Sequence, residues 1–202
     1  MGASATVTET PADVREAGLS ARLRHLAERA NPAFAVGSLA VPLSAFGLAW
    51  LVGGVTALFY VHVAAGALWF SFAVIFPVII GPVLGGVDED AAAQVVGLLT
   101  PKTVFFLFGI SATTVLSGTA LLDAYGQLGG GALWPTVALG AGWGLFVFGL
   151  AVPNRLHLRS YYEHQSPDPD GETLARVERL NVAVGLFELV VMFAIVYVMV
   201  TL

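Results

Sequence analysis

The sequence predicts an all-α, polytopic membrane protein built as a bundle of transmembrane helices. Of its 202 residues, 57% are hydrophobic and only 11% are charged, and the mean hydropathy is +0.82. This balance is too apolar for an ordinary water-soluble domain. Between Ala30 and Val87 there is no Asp, Glu, Lys or Arg. That run is far longer than the roughly 20 apolar residues needed for one membrane crossing, so it implies more than one.

Composition also narrows the chemistry and the partners. Cysteine is absent, which excludes disulfides, thiolate metal sites and cysteine nucleophiles. The net charge of −5 comes from carboxylates outside the apolar runs and indicates no nucleic-acid partner. The N-terminus lacks the basic region and apolar core of a signal peptide. The expected partner is the lipid bilayer, with a homo-oligomer or the subunits of a membrane complex as open alternatives.

Five apolar runs are each long enough to cross the membrane. They cover residues 34–52, 55–84, 103–122, 133–152 and 180–202. The first is expected to turn into the second near Gly53 and Gly54, so that the two form a hairpin. Because Gly37, Pro42 and Gly47 weaken the first run as a helix, an alternative is that it lies in the interface and only four helices span.

Arginines predict the orientation, since cytoplasmic loops carry the excess of basic residues. Two clusters of four flank the apolar runs: Arg15, Arg22, Arg24 and Arg29, then Arg155, Arg159, Arg176 and Arg179. The loop at 124–132 has no basic residue. With both clusters in the cytoplasm, five crossings of the cell membrane put the N-terminus inside and the C-terminus outside.

Outside the spans, capping patterns predict two further helices. In the N-terminal segment 1–33, Thr10 and Pro11 indicate a helix start, and the following leucines recur on one face. This segment is therefore predicted to lie on the cytoplasmic membrane surface, with 34–202 forming the bundle. Asp88 is expected to cap a short helix that ends at Thr100 and Pro101, where the third span begins. Residues 166–171 are predicted to form a loop.

Two ionisable residues, His62 and Glu188, are predicted to lie deep in the membrane, where such groups are often functional. Each is about eight residues from the nearer end of its span, or roughly 12 Å deep. The two groups would differ in level by only about 6 Å in a core about 30 Å thick. Their depths therefore permit a contact between the two side chains, although the spacing alone does not show that the helix faces carrying them meet.

His62 is the candidate cofactor ligand, for haem or a metal ion such as copper, and a candidate proton-handling group. The competing interpretation is a buried histidine that is hydrogen-bonded to a neighbouring hydroxyl or carbonyl. Glu188 is the second proton-handling candidate. An isolated carboxylate in hydrocarbon is disfavoured, so Glu188 is expected to be neutral unless a charged His62 lies beside it. No second histidine is expected at the depth of His62, which disfavours a bis-histidine haem within one subunit.

Two motifs carry a resemblance to a known family. The first is the segment 61–69, which contains His62 and Trp69 and is followed by Pro77; the second is Arg179, Asn181 and Gly185 at the start of the last span. This pattern resembles the CopD-like family, the copper-resistance D domain and its uncharacterised relatives. The resemblance covers roughly residues 55–202. It implies a four-helix core, a link to copper uptake or a membrane redox cofactor, and a ligand role for His62.

Three functional classes remain open at this point. The first is a membrane protein that binds haem or a metal ion at His62. The second is a small permease that uses Glu188 and His62 for proton coupling, and the third is a noncatalytic accessory subunit of a membrane complex. No catalytic triad, phosphate loop or spaced carboxylate pair supports an enzyme assignment.

Overall fold

The computed structural model describes residues 18–131 and 133–201, and within them every regular element is a helix. Eight α-helices and two π-helical segments follow one another along the described chain: α1 Leu19–Ala30, α2 Pro32–Leu48, π1 Ala49–Gly53, α3 Gly54–Ile75, π2 Phe76–Ile80, α4 Gly81–Leu84, α5 Glu89–Ala124, α6 Leu133–Ala151, α7 Pro153–His164 and α8 Gly171–Thr201. The predicted all-α fold is confirmed. The predicted helix start at Thr10 lies outside the described residues.

Four helical runs among the described residues are long and apolar enough to cross a membrane. They are Pro32–Leu84, Glu89–Ala124, Leu133–His164 and Gly171–Thr201. Apolar side chains cover much of the outer surface of these runs; for example, Val52 and Val200 are each 81% exposed. Such a surface is stable in lipid but not in water. The chain is therefore built as a multi-pass membrane protein.

The first of these runs, Pro32–Leu84, has 53 residues. Fully straight, it would be about 80 Å long, more than twice the thickness of the hydrocarbon core. It is broken at Gly54, whose φ of 67° and ψ of −172° are accessible essentially only to glycine. The run therefore has two arms, α2 with π1 and α3 with π2 and α4.

The first arm packs alongside α5. The carbonyl oxygen of Ser38 lies so close to Gly109 that a Cβ atom there would collide with it. Eleven residues further along this arm, Ala49 at the start of π1 packs in a buried cluster with Leu121. Since the contacts advance in the same sense along both helices, α2 and α5 run parallel.

The second arm packs on α5 in the opposite sense. Leu58 belongs to the same cluster as Leu121, the His62 ring covers Gly118, and Phe72 contacts Phe106 with ring centroids 5.3 Å apart. The contacts on α5 move backwards as α3 advances. The two arms of the first run therefore form an antiparallel hairpin against α5.

The remaining helices complete the bundle in alternating directions. On α6, Trp143 donates a hydrogen bond to Thr119 and Phe146 contacts Phe108, so α6 runs antiparallel to α5. On α8, Gly185 packs on Pro77 and Phe193 on Phe70, so α8 runs antiparallel to the second arm. One end of the bundle thus gathers α1, α7 and the start of α8, and we call it the arginine-rich end. Its arginines are Arg22, Arg24, Arg29, Arg155, Arg159, Arg176 and Arg179.

At the arginine-rich end, α1 docks on the bundle through its C-terminal half. Leu26 is buried in a cluster with Val96, Tyr161 and Tyr162, and His25 Nε2 lies 3.0 Å from the Tyr161 hydroxyl. Only this part of the predicted leucine face is buried, because Leu19 and Leu23 are 66% and 44% exposed. The position of α1 on the membrane surface stays a prediction.

Helix α1 separates from α2 at Asn31, whose φ is 77° and whose Oδ1 accepts a hydrogen bond from the Ala33 amide.

The predicted end of a helix at Pro101 is wrong. Asp88 does cap the helix, accepting a hydrogen bond from the Ala91 amide at 2.8 Å, but α5 continues through Pro101 to Ala124. Proline removes one backbone hydrogen bond and usually ends or kinks a helix. Here Pro101 is fully buried, and Val96 before it and Ile110 after it are also buried, so tertiary packing on both sides holds the two halves together.

Candidate functional site

His62 is held tightly between α3 and α5. Its Nδ1 lies 2.9 Å from the carbonyl oxygen of Thr114 and 3.3 Å from the Ser117 hydroxyl. The ring lies directly over Gly118, where an added Cβ atom would be 2.9 Å from His62 Cε1. A carbonyl can only accept, so Nδ1 carries the proton that the histidine donates. This is the structural arrangement that the competing interpretation of His62 expected.

Four hydroxyl side chains occur close together on α5, at Ser111, Thr113, Thr114 and Ser117. The hydroxyls of Ser111, Thr114 and Ser117 each donate a hydrogen bond to a backbone carbonyl four residues earlier, at 2.6–2.8 Å. Such back-bonding satisfies polar groups inside an apolar bundle. Thr113 differs, since its Oγ1 is buried and has no hydrogen-bond partner among the described residues.

A cavity of about 640 Å³ lies in the half of the bundle nearer the arginine-rich end. It is bordered by the second arm of the hairpin, α5, α7 and α8. Its walls are mainly apolar and aromatic, and its lining includes Trp69, Phe72, Ala73, Phe76, Pro77, His157, Glu178, Arg179, Asn181, Gly185 and Glu188. A cavity of this size, with apolar walls and a few polar groups, is typical of small-molecule sites.

Two ionisable side chains line this cavity without a protein partner. Within residues 18–131 and 133–201, Glu188 and His157 have no hydrogen bond or ion pair. Polar groups inside an apolar bundle are almost always paired, so each unpaired one requires an explanation. Two on one cavity indicate that something with complementary groups binds there.

Glu188 lies at the deep end of the cavity. Its Oε1 is close to α6, 3.5 Å from where a Cβ atom at Gly149 would be, and it is one helical turn beyond Gly185, which packs on Pro77. The exposed Glu178 and Arg179 lie at the opposite end, nearer the start of α8. The cavity therefore extends from the arginine-rich end to the level of Glu188.

Glu188 and His62 are not brought together. His62 faces α5 and takes no part in lining the cavity, and no hydrogen bond or ion pair joins the two among the described residues. Trp69, which does line the cavity, is seven residues from His62, or about 10 Å along the helix. The contact between Glu188 and His62 that their predicted depths permitted is therefore absent among the described residues.

His157 was missed as a cavity-lining group. It follows Pro153 and Arg155 at the arginine-rich end, where α7 continues helically from Pro153 and turns the His157 ring into the cavity. There it stacks on Phe76, with ring centroids 5.5 Å apart and planes at 26°. Proline at the first position of a helix is a start signal, and it could have revealed that His157 lies one turn inside a new helix.

Two irregularities in the helices border the cavity. The π-helical segment π2 contains Pro77, and α6 gives way to α7 at Val152, whose φ of −115° and ψ of −72° depart from helical values. Single-turn π segments often occur at functional sites. Both irregularities therefore lie beside the space that a ligand in the cavity would occupy.

The residues that carried the family resemblance converge on this cavity, with one exception. Trp69, Pro77, Arg179, Asn181 and Gly185 all line it. These positions lie on two helices that are more than a hundred residues apart in sequence. His62, the proposed ligand of the resemblance, lies outside the cavity.

Among the described residues, no group of three or more His, Asp or Glu side chains is close enough together to hold a metal ion.

No protein-family model matches the chain, and neither does any curated protein or solved structure. Fold and surface define the class: a helical, multi-pass membrane protein.

Proposed function

We propose that this is a five-crossing integral membrane protein of the small-permease type, in which the cavity binds a small organic solute beside Glu188. The observation that carries the proposal is the convergence of two ionisable side chains, Glu188 and His157, on one cavity without a partner among the described residues. An accessory subunit needs no such site.

Five crossings are supported by the antiparallel hairpin formed by the two arms of Pro32–Leu84. With α2 and α3 both crossing, the arginines on α1, α7 and α8 all belong to one side. The excess of basic residues favours the cytoplasm for that side. The cavity then opens toward the cytoplasm and ends near the middle of the membrane at Glu188.

Glu188 is the proposed proton-handling residue. Among the described residues it is the only acidic side chain in the inner part of the cavity lining, and intramembrane carboxyl groups of this kind are common in proton relays. His157 takes the partner role that the sequence assigned to His62. A haem or metal ion at His62, and membership of the CopD-like family, stay predictions; His62 Nδ1 is bonded to the Thr114 carbonyl, so Nε2 is the atom that would bind such a group.

Cysteine accessibility tests whether the cavity admits solutes from the arginine-rich side. The chain has no cysteine of its own, so an introduced thiol is the only target. In the Ala73→Cys variant we expect a charged methanethiosulfonate reagent to react at least tenfold faster in inverted membrane vesicles than in right-side-out vesicles. The reason is that only a hydrated thiol ionises and reacts.

The matched control is Ala67→Cys, on the same helix but exposed on the lipid-facing surface. We expect it to react slowly from either side. If Ala73→Cys reacts no faster than Ala67→Cys in both kinds of vesicle, the cavity is closed to solutes and the proposed function is wrong.

A further inference from the structure

The walls of the cavity indicate the shape of its ligand. Trp69, Phe72 and Phe76 line it together, and the His157 ring is stacked on Phe76. Aromatic side chains favour flat rings, which stack on their faces or pack against their edges. The polar groups lie among apolar walls, where a permanently charged ligand would lose more hydration than the site replaces.

The two unpartnered side chains indicate which groups the ligand carries. Glu188 and His157 line the cavity and have no hydrogen bond within the part of the chain that the structure describes. A neutral carboxyl at Glu188 and a neutral imidazole at His157 can each either donate or accept. A hydroxyl group also donates and accepts, so hydroxyl substituents on a ring can pair with both side chains.

We propose that the ligand is a lipid-soluble aromatic ring bearing hydroxyl groups, the quinol class, with its oxidised quinone as the weaker-binding form. The quinol hydroxyls can donate to or accept from Glu188 and His157, whereas the quinone carbonyls can only accept. This inference rests on the proposed function, because it identifies the solute that the cavity would hold. Only binding is proposed, with no electron transfer by the protein.

Trp69 offers a direct readout, because a ring bound in the cavity would lie close to this indole and quench its fluorescence. The probe is 1,4-dihydroxynaphthalene, titrated under argon into the protein in nanodiscs, with naphthalene as the matched probe that lacks hydroxyls. We expect saturable quenching that disappears in Trp69→Phe and persists in Trp50→Phe. Trp50 is 62% exposed in π1, at the opposite end of the bundle.

The hydroxyls should decide the affinity. A net hydrogen bond of about 1 kcal/mol corresponds to about a fivefold change in Kd, so we expect dihydroxynaphthalene to bind at least fivefold more tightly than naphthalene. Glu188→Leu and His157→Phe should each reduce this preference, because neither replacement can form a hydrogen bond with a hydroxyl group. Ala73→Phe should abolish saturable quenching by filling the cavity, while Ala67→Phe should leave it unchanged.

Equal affinity for the two probes, or quenching that rises linearly without saturation, would overturn the assignment of the quinol class. The same holds if Ala73→Phe and Ala67→Phe bind the probe equally well. These failures are distinguishable from failure of the proposed function: if Ala73→Cys remains accessible from the arginine-rich side, the cavity still takes a solute, and only the ligand class is wrong.

Discussion

Position 118 on α5 has room only for the hydrogen-atom side chain of glycine, because the His62 ring lies against it. The imidazole occupies the space that a Cβ atom at position 118 would need, while its Nδ1 is bonded to the carbonyl of Thr114. Because the ring is fixed by that hydrogen bond and by the packing of α3, it cannot move aside freely. The pair therefore acts as a unit, whether or not His62 also binds a cofactor.

We expect Gly118→Ala to lower the unfolding free energy by about 1–3 kcal/mol, the usual effect of overpacking. The measurement is the thermal unfolding midpoint in detergent. When Gly118→Ala is introduced into the His62→Ala variant, it should lower the stability much less than it does in the natural chain, because the ring that clashes with the added methyl group is absent. Gly140→Ala is the control, since a Cβ atom there would meet nothing within 4 Å. Equal stability of Gly118→Ala and Gly140→Ala would contradict this account.

The carboxylate of Asp170 caps the N-terminal end of α8. Its Oδ2 accepts a hydrogen bond from the Thr173 hydroxyl at 2.6 Å, and its Oδ1 accepts one from the Glu172 amide at 3.1 Å. The Thr173 hydroxyl first, and then the backbone amide, lower the pKa of the Asp170 carboxyl below its ordinary value. The cap thus favours the ionised carboxylate in the folded protein.

The cap should therefore stabilise α8 only while Asp170 is ionised. A lowered pKa in the folded state gives stability that is fully present above the unfolded-state pKa of about 4 and is lost as the pH falls further, through the folded-state value. We expect Asp170→Ala to lower the thermal unfolding midpoint at neutral pH and to lose this effect progressively below about pH 4. Asp168→Ala, in the same loop, is the control. An effect of Asp170→Ala that is constant from neutral to strongly acidic pH would refute the electrostatic part of the cap.

Crossing number and sidedness are properties of the whole molecule. The proposed hairpin places Val52, in π1, on the same side of the membrane as Gln127, and places Asp88 and Asp168 on the other side. If α2 instead lay in the interface without crossing, α1 would share a side with Val52 and not with Asp88. A position on α1, such as the exposed Glu28, therefore distinguishes the two topologies.

We expect Val52→Cys and Gln127→Cys to react with an impermeant maleimide added to intact cells, because both would face the outside. Glu28→Cys, Asp88→Cys and Asp168→Cys should react only after the membrane is permeabilised. The measurement is the labelled fraction of each single-cysteine variant with and without permeabilisation. Labelling of Glu28→Cys from the same side as Val52→Cys would rule out five crossings, and labelling of Asp168→Cys in intact cells would reverse the orientation.

The sequence by itself determined where helices form and that they belong in a membrane. Apolar content over about 20 residues is a local property, and so are the Asp88 cap and the face of α1 that carries Leu26. Pro101 marks the limit of this local information, because its effect on the backbone was overridden by packing on both sides of it. Local signals could not register those distant contacts.

Only the tertiary structure decided which side chains share a cavity. Helical periodicity puts residues on a common face of one helix, but the neighbour that this face meets depends on how all the helices pack together. The sequence predicted similar depths for Glu188 and His62, but the contacts of Gly185 with Pro77 and of Phe193 with Phe70 place Glu188 level with residues 70–77, away from His62. Glu188 and His157 come from different helices and line one cavity. The level at which two helices meet and the direction a side chain faces are both set by contacts between helices that are distant in sequence, so position along a span could not predict either one.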